Sequence, residues 1–222
     1  MNAPVFRDRR HAGRALAQVL TGYANRSDVI VLALPRGGVP VAYEVATTLH
    51  APLDVFVVRK LGIPGNEEYA MGALATGGVR ILNDNVTRIL DIPADAIEAV
   101  VRTEQRELDR REHLYRDARQ PPALRGRTVI LVDDGLATGS TMLAAVKAVG
   151  TQDPQRIVVA VPTASAETCN ELRAVADEVV CVNTPRPFRA VGQWYENFEQ
   201  TTDDEVLLLL ASSRLDAVNE AR

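Results

Sequence analysis

Several residue types are scarce in this chain, and each shortage closes off a class of function. The 222 residues include only two cysteines, Cys169 and Cys181, and three scattered histidines, His11, His50 and His113. The cysteines are neither closely spaced nor accompanied by histidine, so neither a zinc site nor a disulfide framework is indicated. Both are expected to be reduced, one in a helix and one in a strand. Positive charge is also short: a net charge of −4 and a pI near 5.5 give no general attraction to nucleic acid or to an anionic membrane. Any site for a polyanion must therefore be local. The amino terminus has no apolar run long enough for a signal peptide, and the longest aliphatic block, Val206 to Leu210, is too short to span a bilayer. The expected compartment is the cytoplasm. Two phosphate-chemistry motifs are missing as well: the G-x-x-x-x-G-K-[ST] loop with its lysine, and the D-x-D of aspartate-nucleophile phosphohydrolases.

The hydrophobic fraction, 46%, is enough for one sizeable α/β domain, and residues 1–222 are read as a single one. Its centre runs from Arg127 to Met142. Thr128 to Val132 is aliphatic or β-branched without polar alternation, which is how a strand buried on both faces of a parallel sheet reads. Asp133 and Asp134 follow, then the small and hydroxyl residues Gly135 to Thr141, then a strong helix former from Met142 onward. The first turn of that helix has unpaired N–H groups, so Ala137, Thr138, Gly139, Ser140 and Thr141 can wrap a phosphate monoester. The two carboxylates can hydrogen-bond the cis hydroxyls of a ribose and hold Mg²⁺.

The same logic recurs earlier in the chain. Asp28 to Leu34 is a buried strand that ends in Pro35-Arg36-Gly37-Gly38, with a helix over Val39 to His50. Paired glycines let backbone N–H groups approach an anion, and Arg36 adds a fork of donors. Leu53 to Val58 reads as a second apolar strand that delivers Arg59 and Lys60 at its carboxyl end. Leu61 to Met71 has too many glycines, prolines and polar residues for a regular element, and Gly72 to Leu82 reads as a hairpin around Gly77-Gly78. Pro93 to Ala118 is one long helix. Its stripe is Ile97, Val101, Leu108 and Tyr115, and Glu98–Arg102, Glu107–Arg111 and Glu112–Arg116 are spaced for ion pairs, as in a solvated strut or the contact of a homodimer.

Strands at Gln155 to Val161 and Glu178 to Val182, helices at His11 to Tyr23, Ser165 to Ala176 and Asp203 to Leu215, and a spacing of about 25 residues between strands complete an α/β pattern with a parallel sheet. Ligands in such sheets bind at the carboxyl ends of strands. The segment Asn183 to Gln200 holds four of the chain's ten aromatics, Phe188, Trp194, Tyr195 and Phe198. They either stack on a heterocycle or fill a core.

At its central stretch the sequence resembles the phosphoribosyltransferases of the type I fold. Their signature for phosphoribosyl diphosphate (PRPP) is an apolar strand, two acids and a T-G-[small]-[ST] loop. Val129 to Val132, Asp133, Asp134 and Thr138-Gly139-Ser140-Thr141 match it. The resemblance implies a central, mostly parallel sheet flanked by helices, with a β-hairpin or lid region and a long inserted helix within about 61–120, and a hood at about 183–200. It implies transfer of a 5-phosphoribosyl group from PRPP to a nitrogenous base with release of pyrophosphate, dependent on Mg²⁺, within nucleotide metabolism. In that scheme Asp133 and Asp134 serve ribose and metal, residues 137–141 the 5′-phosphate, and Arg36, Gly37 and Gly38 the pyrophosphate. Arg59 and Lys60 match a catalytic lid by position, and Phe188, Trp194 and Tyr195 are placed to hold the base. Ala137 stands where members acting on 6-oxopurines usually carry aspartate, and Ala-Thr-Gly resembles adenine-specific members, which are not expected to have the Pro-Arg-Gly-Gly turn or the long helix. The acceptor stays open. The alternative is a non-catalytic PRPP- or nucleotide-binding regulator of the same fold, with no nucleic-acid partner.

Overall fold

Short aliphatic runs with no polar face can only be buried by pairing side by side and being covered above and below. In the computed structural model, which describes residues 6–116 and 119–220, eight strands follow along the chain. They are β1 (Val29–Ala33), β2 (Leu53–Val55), β3 (Val58–Ile63), β4 (Asn66–Ala75), β5 (Val79–Leu82), β6 (Thr128–Val132), β7 (Arg156–Thr163) and β8 (Glu178–Asn183). Five make a wholly parallel sheet in the order β2-β1-β6-β7-β8. From β1 the chain winds outward to β2, and from β6 it winds the other way to β7 and β8. The change of direction therefore lies between β1 and β6, whose register runs from Val29↔Thr128 to Ala33↔Val132. A crevice is expected at the carboxyl ends of these two strands.

Alternate residues of the sheet point to opposite layers. Val29, Val31, Ile130 and Val132 pack with α1 (Arg9–Val19), α2 (Gly38–Leu49) and α7 (Asp203–Glu220). Ile30, Leu32, Val129 and Leu131 pack with α5 (Ser140–Gly150) and α6 (Ala166–Arg173). The expected parallel sheet between helical layers is present, with Cys169 on α6 and Cys181 on β8 as free thiols. No helix among the described residues is long and apolar enough to cross a membrane.

The insertion departs from expectation in four places. The apolar run Leu53–Val58 is not one strand. It pairs with β1 as far as Val55, Phe56 N–H donates to the Ala33 carbonyl at 2.8 Å, and Val57 N–H donates to Thr76 Oγ1 at 2.9 Å. The run is apolar throughout because two sheets bury it in succession. Arg59 and Lys60 consequently lie inside β3 of a separate antiparallel sheet, β3-β4-β5, and not at the end of a parallel strand. Second, Leu61 to Met71 is regular: β3 and β4 turn about Pro64–Gly65. Gly62 is there because Glu67 crosses so closely that a Cβ would sit 2.9 Å from the Glu67 Cα. The hairpin at Gly77–Gly78 stands as expected, with Gly72 opposite Leu82.

Third, a short helix, α3 (Asp84–Ile89), was not anticipated; Asn83 caps it by accepting from Val86 N–H at 3.3 Å. Fourth, the long helix, α4 (Ala94–Arg116), forms two of its three expected ion pairs, Glu107–Arg111 at 2.7 Å and Glu112–Arg116 at 2.8 Å, while Glu98 pairs with Arg80. Its expected last residue, Ala118, lies outside the described residues. Arg116 is not solvated: it is 2% exposed, holds Asp54 at 3.2 Å and donates to the Val55 carbonyl, which ties α4 to β2. Leu16 of α1 and Leu20, which caps its end, are buried, whereas Val19 between them is 56% exposed.

Candidate active site

Two strand ends and one helix start meet at the crevice. Leu34 N–H donates to the Val132 carbonyl at 2.9 Å, so the turn after β1 lies directly against the acid pair after β6. Within that turn the Pro35–Arg36 peptide is cis. A Cβ on Gly37 would lie 2.1 Å from Asp134 Oδ2, and one on Gly38 would lie 2.7 Å from the Val132 carbonyl and 3.2 Å from Asp133 Oδ1. Both positions exclude side chains because the acids pack onto the bare backbone. Sequence spacing brought residues 36–38 and 133–134 to the same end of the sheet; contact between them comes from the adjacency of β1 and β6.

The acids differ in their partners. Asp134 Oδ2 accepts from Arg9 Nε at 2.8 Å, in a pair whose side chains are 12% and 14% exposed. Asp133 Oδ1 accepts from the Asp134 backbone N–H at 2.8 Å. Burial, and then the neighbouring charge of Asp134, push the Asp133 pKa well above the usual carboxylate range. Burial also raises Asp134, while the Arg9 guanidinium pulls it back down.

The loop beyond them is held from behind. Gly139 has φ +66°, a left-handed conformation suited to glycine, and precedes the first residue of α5. Thr138 and Ser140 hydroxyls lie 3.2 Å apart on the open side, Ala137 and Thr138 are exposed, and Ser140 and Thr141 are half-buried. From α6, Thr168 Oγ1 donates to the Ala137 carbonyl at 2.9 Å and its methyl closes against Gly139, while Ser165 caps α6 and donates to Thr168 Oγ1 at 2.8 Å.

The other expected residues are distributed as follows. Arg36 lies 3.8 Å from Asp203 of α7. Arg59 is held by Glu104 of α4 at 2.6 Å, and Lys60 is exposed. Both line a cleft of about 630 Å³ that Thr141 also borders, so the small sheet reaches the phosphate-loop side of the crevice. Phe188 and Trp194 stack on each other at 6.2 Å and 20°. Tyr195 is 6% exposed, packs between Phe6 and Phe198, and donates its hydroxyl to the Asp134 carbonyl. Burial and the nearby Asp134 charge raise its pKa.

Sequence reasoning missed Arg9, Ser165, Thr168 and Phe6. Arg9 and Phe6 leave no local signal, because their partners are almost the whole chain away. Ser165 was legible as the start of a helix, but not its bond to Thr168 or the contact of Thr168 with Ala137.

No group of three or more His, Cys, Asp or Glu that could cage a metal occurs among the described residues. The donor set still suits Mg²⁺, which takes one or two carboxylates and completes its shell with water and ligand phosphates. Among the described residues, no side-chain cation pairs directly with Asp133, whereas Asp134 is paired with Arg9.

A protein of Mycobacterium tuberculosis named "Putative phosphoribosyl transferase Rv0571c" is 48% identical over 212 residues; those cover 96% of this chain, which spans about half (48%) of that relative's length. The crystal structure of TT1426 from Thermus thermophilus superposes with a TM-score of 0.83 at 45% identity, covering 94% of this chain and 98% of that one. The AQ2163 protein from Aquifex aeolicus, at 14% identity and a TM-score of 0.51 over 83% of this chain and 78% of its own, shares the fold. The family model for the phosphoribosyl transferase domain matches residues 8–204, a span that takes in the β1 turn, the acid pair and the loop before α5, and the chain belongs to that family.

Proposed function

We propose that the protein is a Mg²⁺-dependent phosphoribosyltransferase that moves the 5-phosphoribosyl group of PRPP onto a ring nitrogen of a base. The observation that carries this is the packing of Asp133 and Asp134 onto Gly37–Gly38 beside the loop at residues 137–141. It gives a sugar monophosphate with a diphosphate substituent a seat for each part. Backbone N–H groups at the start of α5 and the hydroxyls of Thr138, Ser140 and Thr141 anchor the 5′-phosphate. Asp133 accepts from ribose hydroxyls and faces the positive charge that grows on the anomeric carbon. There the C–O bond breaks, both its electrons leave with pyrophosphate, and a nitrogen lone pair closes the new C–N bond. Catalysis on this scheme is positioning and charge complementarity. Bound through Asp133 and Asp134, Mg²⁺ would neutralise phosphate charge in the ground state and in the leaving group.

Lys60 and Arg59 close the phosphate-loop side and keep water from the reacting carbon. Phe188 and Trp194 offer ring faces to the base, and Tyr195 positions the acid pair through its backbone. The described chain acts as one domain, with the insertion at 61–120 serving the same crevice. The thiols and net negative charge fit a cytoplasmic setting.

The test is calorimetry with PRPP and Mg²⁺, followed by a screen of bases for pyrophosphate release. Binding and release with at least one base is expected. Absence of PRPP binding overturns the reading; binding with no release from any base replaces it with the regulatory alternative.

A further inference from the structure

We infer that Arg9, on the amino-terminal helix, is a pyrophosphate-binding residue of this crevice. The inference rests on the reading above of the turn after β1 as the seat of the leaving group. Arg36, the turn's own cation, is drawn toward Asp203, whose Oδ1 also accepts from the Tyr115 hydroxyl at 2.6 Å. Arg9 takes the place beside the turn: its Nε lies 3.4 Å from where a Gly37 Cβ would be and 2.8 Å from Asp134 Oδ2. Two carboxylates lie against that turn, and an anion of several charges arriving there would be repelled. Arg9 cancels one of them at contact distance.

Its guanidinium is also prepared to do more than neutralise. It sits 3.9 Å over the Phe198 ring and donates from Nη1 to the Glu199 carbonyl at 2.6 Å, so its plane is set before any ligand arrives. Of the five N–H groups of an arginine, three remain beyond the bonds to Asp134 and Glu199. A fixed planar fork with spare donors matches two oxygens of a phosphoryl group, and pre-ordering it lowers the entropy lost on binding. Arg9 is also reached from a cleft of about 400 Å³ at the first turn of α2, lined besides by Asp8, Arg10, Pro40 and residues of the 197–205 segment, next to the turn but not including its residues 36–38.

The experiment is calorimetric titration of the full chain with inorganic pyrophosphate plus Mg²⁺, and separately with orthophosphate, which probes the loop at 137–141. Arg9→Gln is expected to weaken pyrophosphate at least tenfold and orthophosphate less than twofold; Arg9→Lys recovers part of the loss, and Arg36→Gln loses less than Arg9→Gln. If Arg9→Gln fails to fold, Arg9→Met, which keeps the stem and removes the donors, decides the matter in its place. Pyrophosphate binding within twofold of the parent in the variants, or equal loss of both anions, overturns the role of Arg9. A parent protein that binds neither PRPP nor pyrophosphate instead overturns the reading of the whole crevice, and the role of Arg9 falls with it.

Discussion

Asp133 and Asp134 are adjacent in the chain but differ in circumstance, and the difference sets how each responds to substitution. Asp134 is compensated by Arg9, whereas Asp133 meets burial and a neighbouring negative charge, so its folded pKa lies above the unfolded value of about 3.8. The folded chain then holds that proton more tightly than the unfolded chain. Its contribution to stability is present below the unfolded pKa and is lost as pH rises through the raised folded value. Thermal melts of the ligand-free protein should show a falling component from about pH 4 upward, and Asp133→Asn should reduce it, leaving the smaller part due to Asp134, which burial also raises; an identical pH profile in both would be inconsistent with the assigned environment. Asp133→Asn combined with Asp134→Asn should abolish pyrophosphate release in an enzyme assay while far-UV circular dichroism stays unchanged. Gly37→Ala isolates a close approach: its φ of −58° suits any residue, so what is new is the clash with the Asp134 carboxyl, 2.1 Å to Oδ2 and 2.8 Å to Cγ, with Arg9 Nε next at 3.4 Å. PRPP affinity should drop tenfold or more, about 1.4 kcal/mol, and an unchanged affinity would mean that the acids are not needed where they stand.

At the scale of elements, α6 matters more to the crevice than its eight residues suggest. Thr168→Val keeps the shape but removes the hydroxyl that donates to the Ala137 carbonyl. The cost to folding should be about 1 kcal/mol, while binding of PRPP or orthophosphate should weaken disproportionately as the loop loosens; calorimetry beside urea melts separates the two. The elements that were legible in the sequence are those whose signal is local. β6 has the same bounds as expected, Thr128 to Val132, because five consecutive aliphatic or β-branched residues are flanked by a linker and two acids. The loop at 137–141 was legible for the same reason. The break between β2 and β3 was not, since Leu53–Val58 is apolar on both sides of it and only the partner strands differ. Gly62 and Gly65 read as loop residues although one permits a strand crossing and the other a tight turn. Phe188, Trp194 and Tyr195 were legible as a cluster, but not the pairing of Phe188 with Trp194 or the Tyr195 bond to the Asp134 carbonyl, which depend on how residues 188–198 fold back.

For the whole molecule, the insertion is tied to the parallel sheet through charge. Arg116 is fully enclosed, with Asp54, Glu112 and the Val55 carbonyl as partners. Truncating one member of a buried ionic set leaves the others uncompensated, typically at about 3–5 kcal/mol. Arg116→Ala should lower the urea midpoint accordingly, and combining it with Asp54→Asn and Glu112→Gln should restore part of the loss; strict additivity would mean that the three do not act together.

The unbroken passage of residues 53–63 from one sheet into the other has a mechanical consequence. With Phe56 bonded to Ala33 and Val57 to Thr76, no slack peptide separates the two layers, so the antiparallel layer is geared to the strand that carries the Gly37 turn instead of flapping independently. An anion gripped near Lys60 would be felt as tension at Ala33, and deuterium uptake at Phe56, Val57 and Leu34 should slow in concert when PRPP is added.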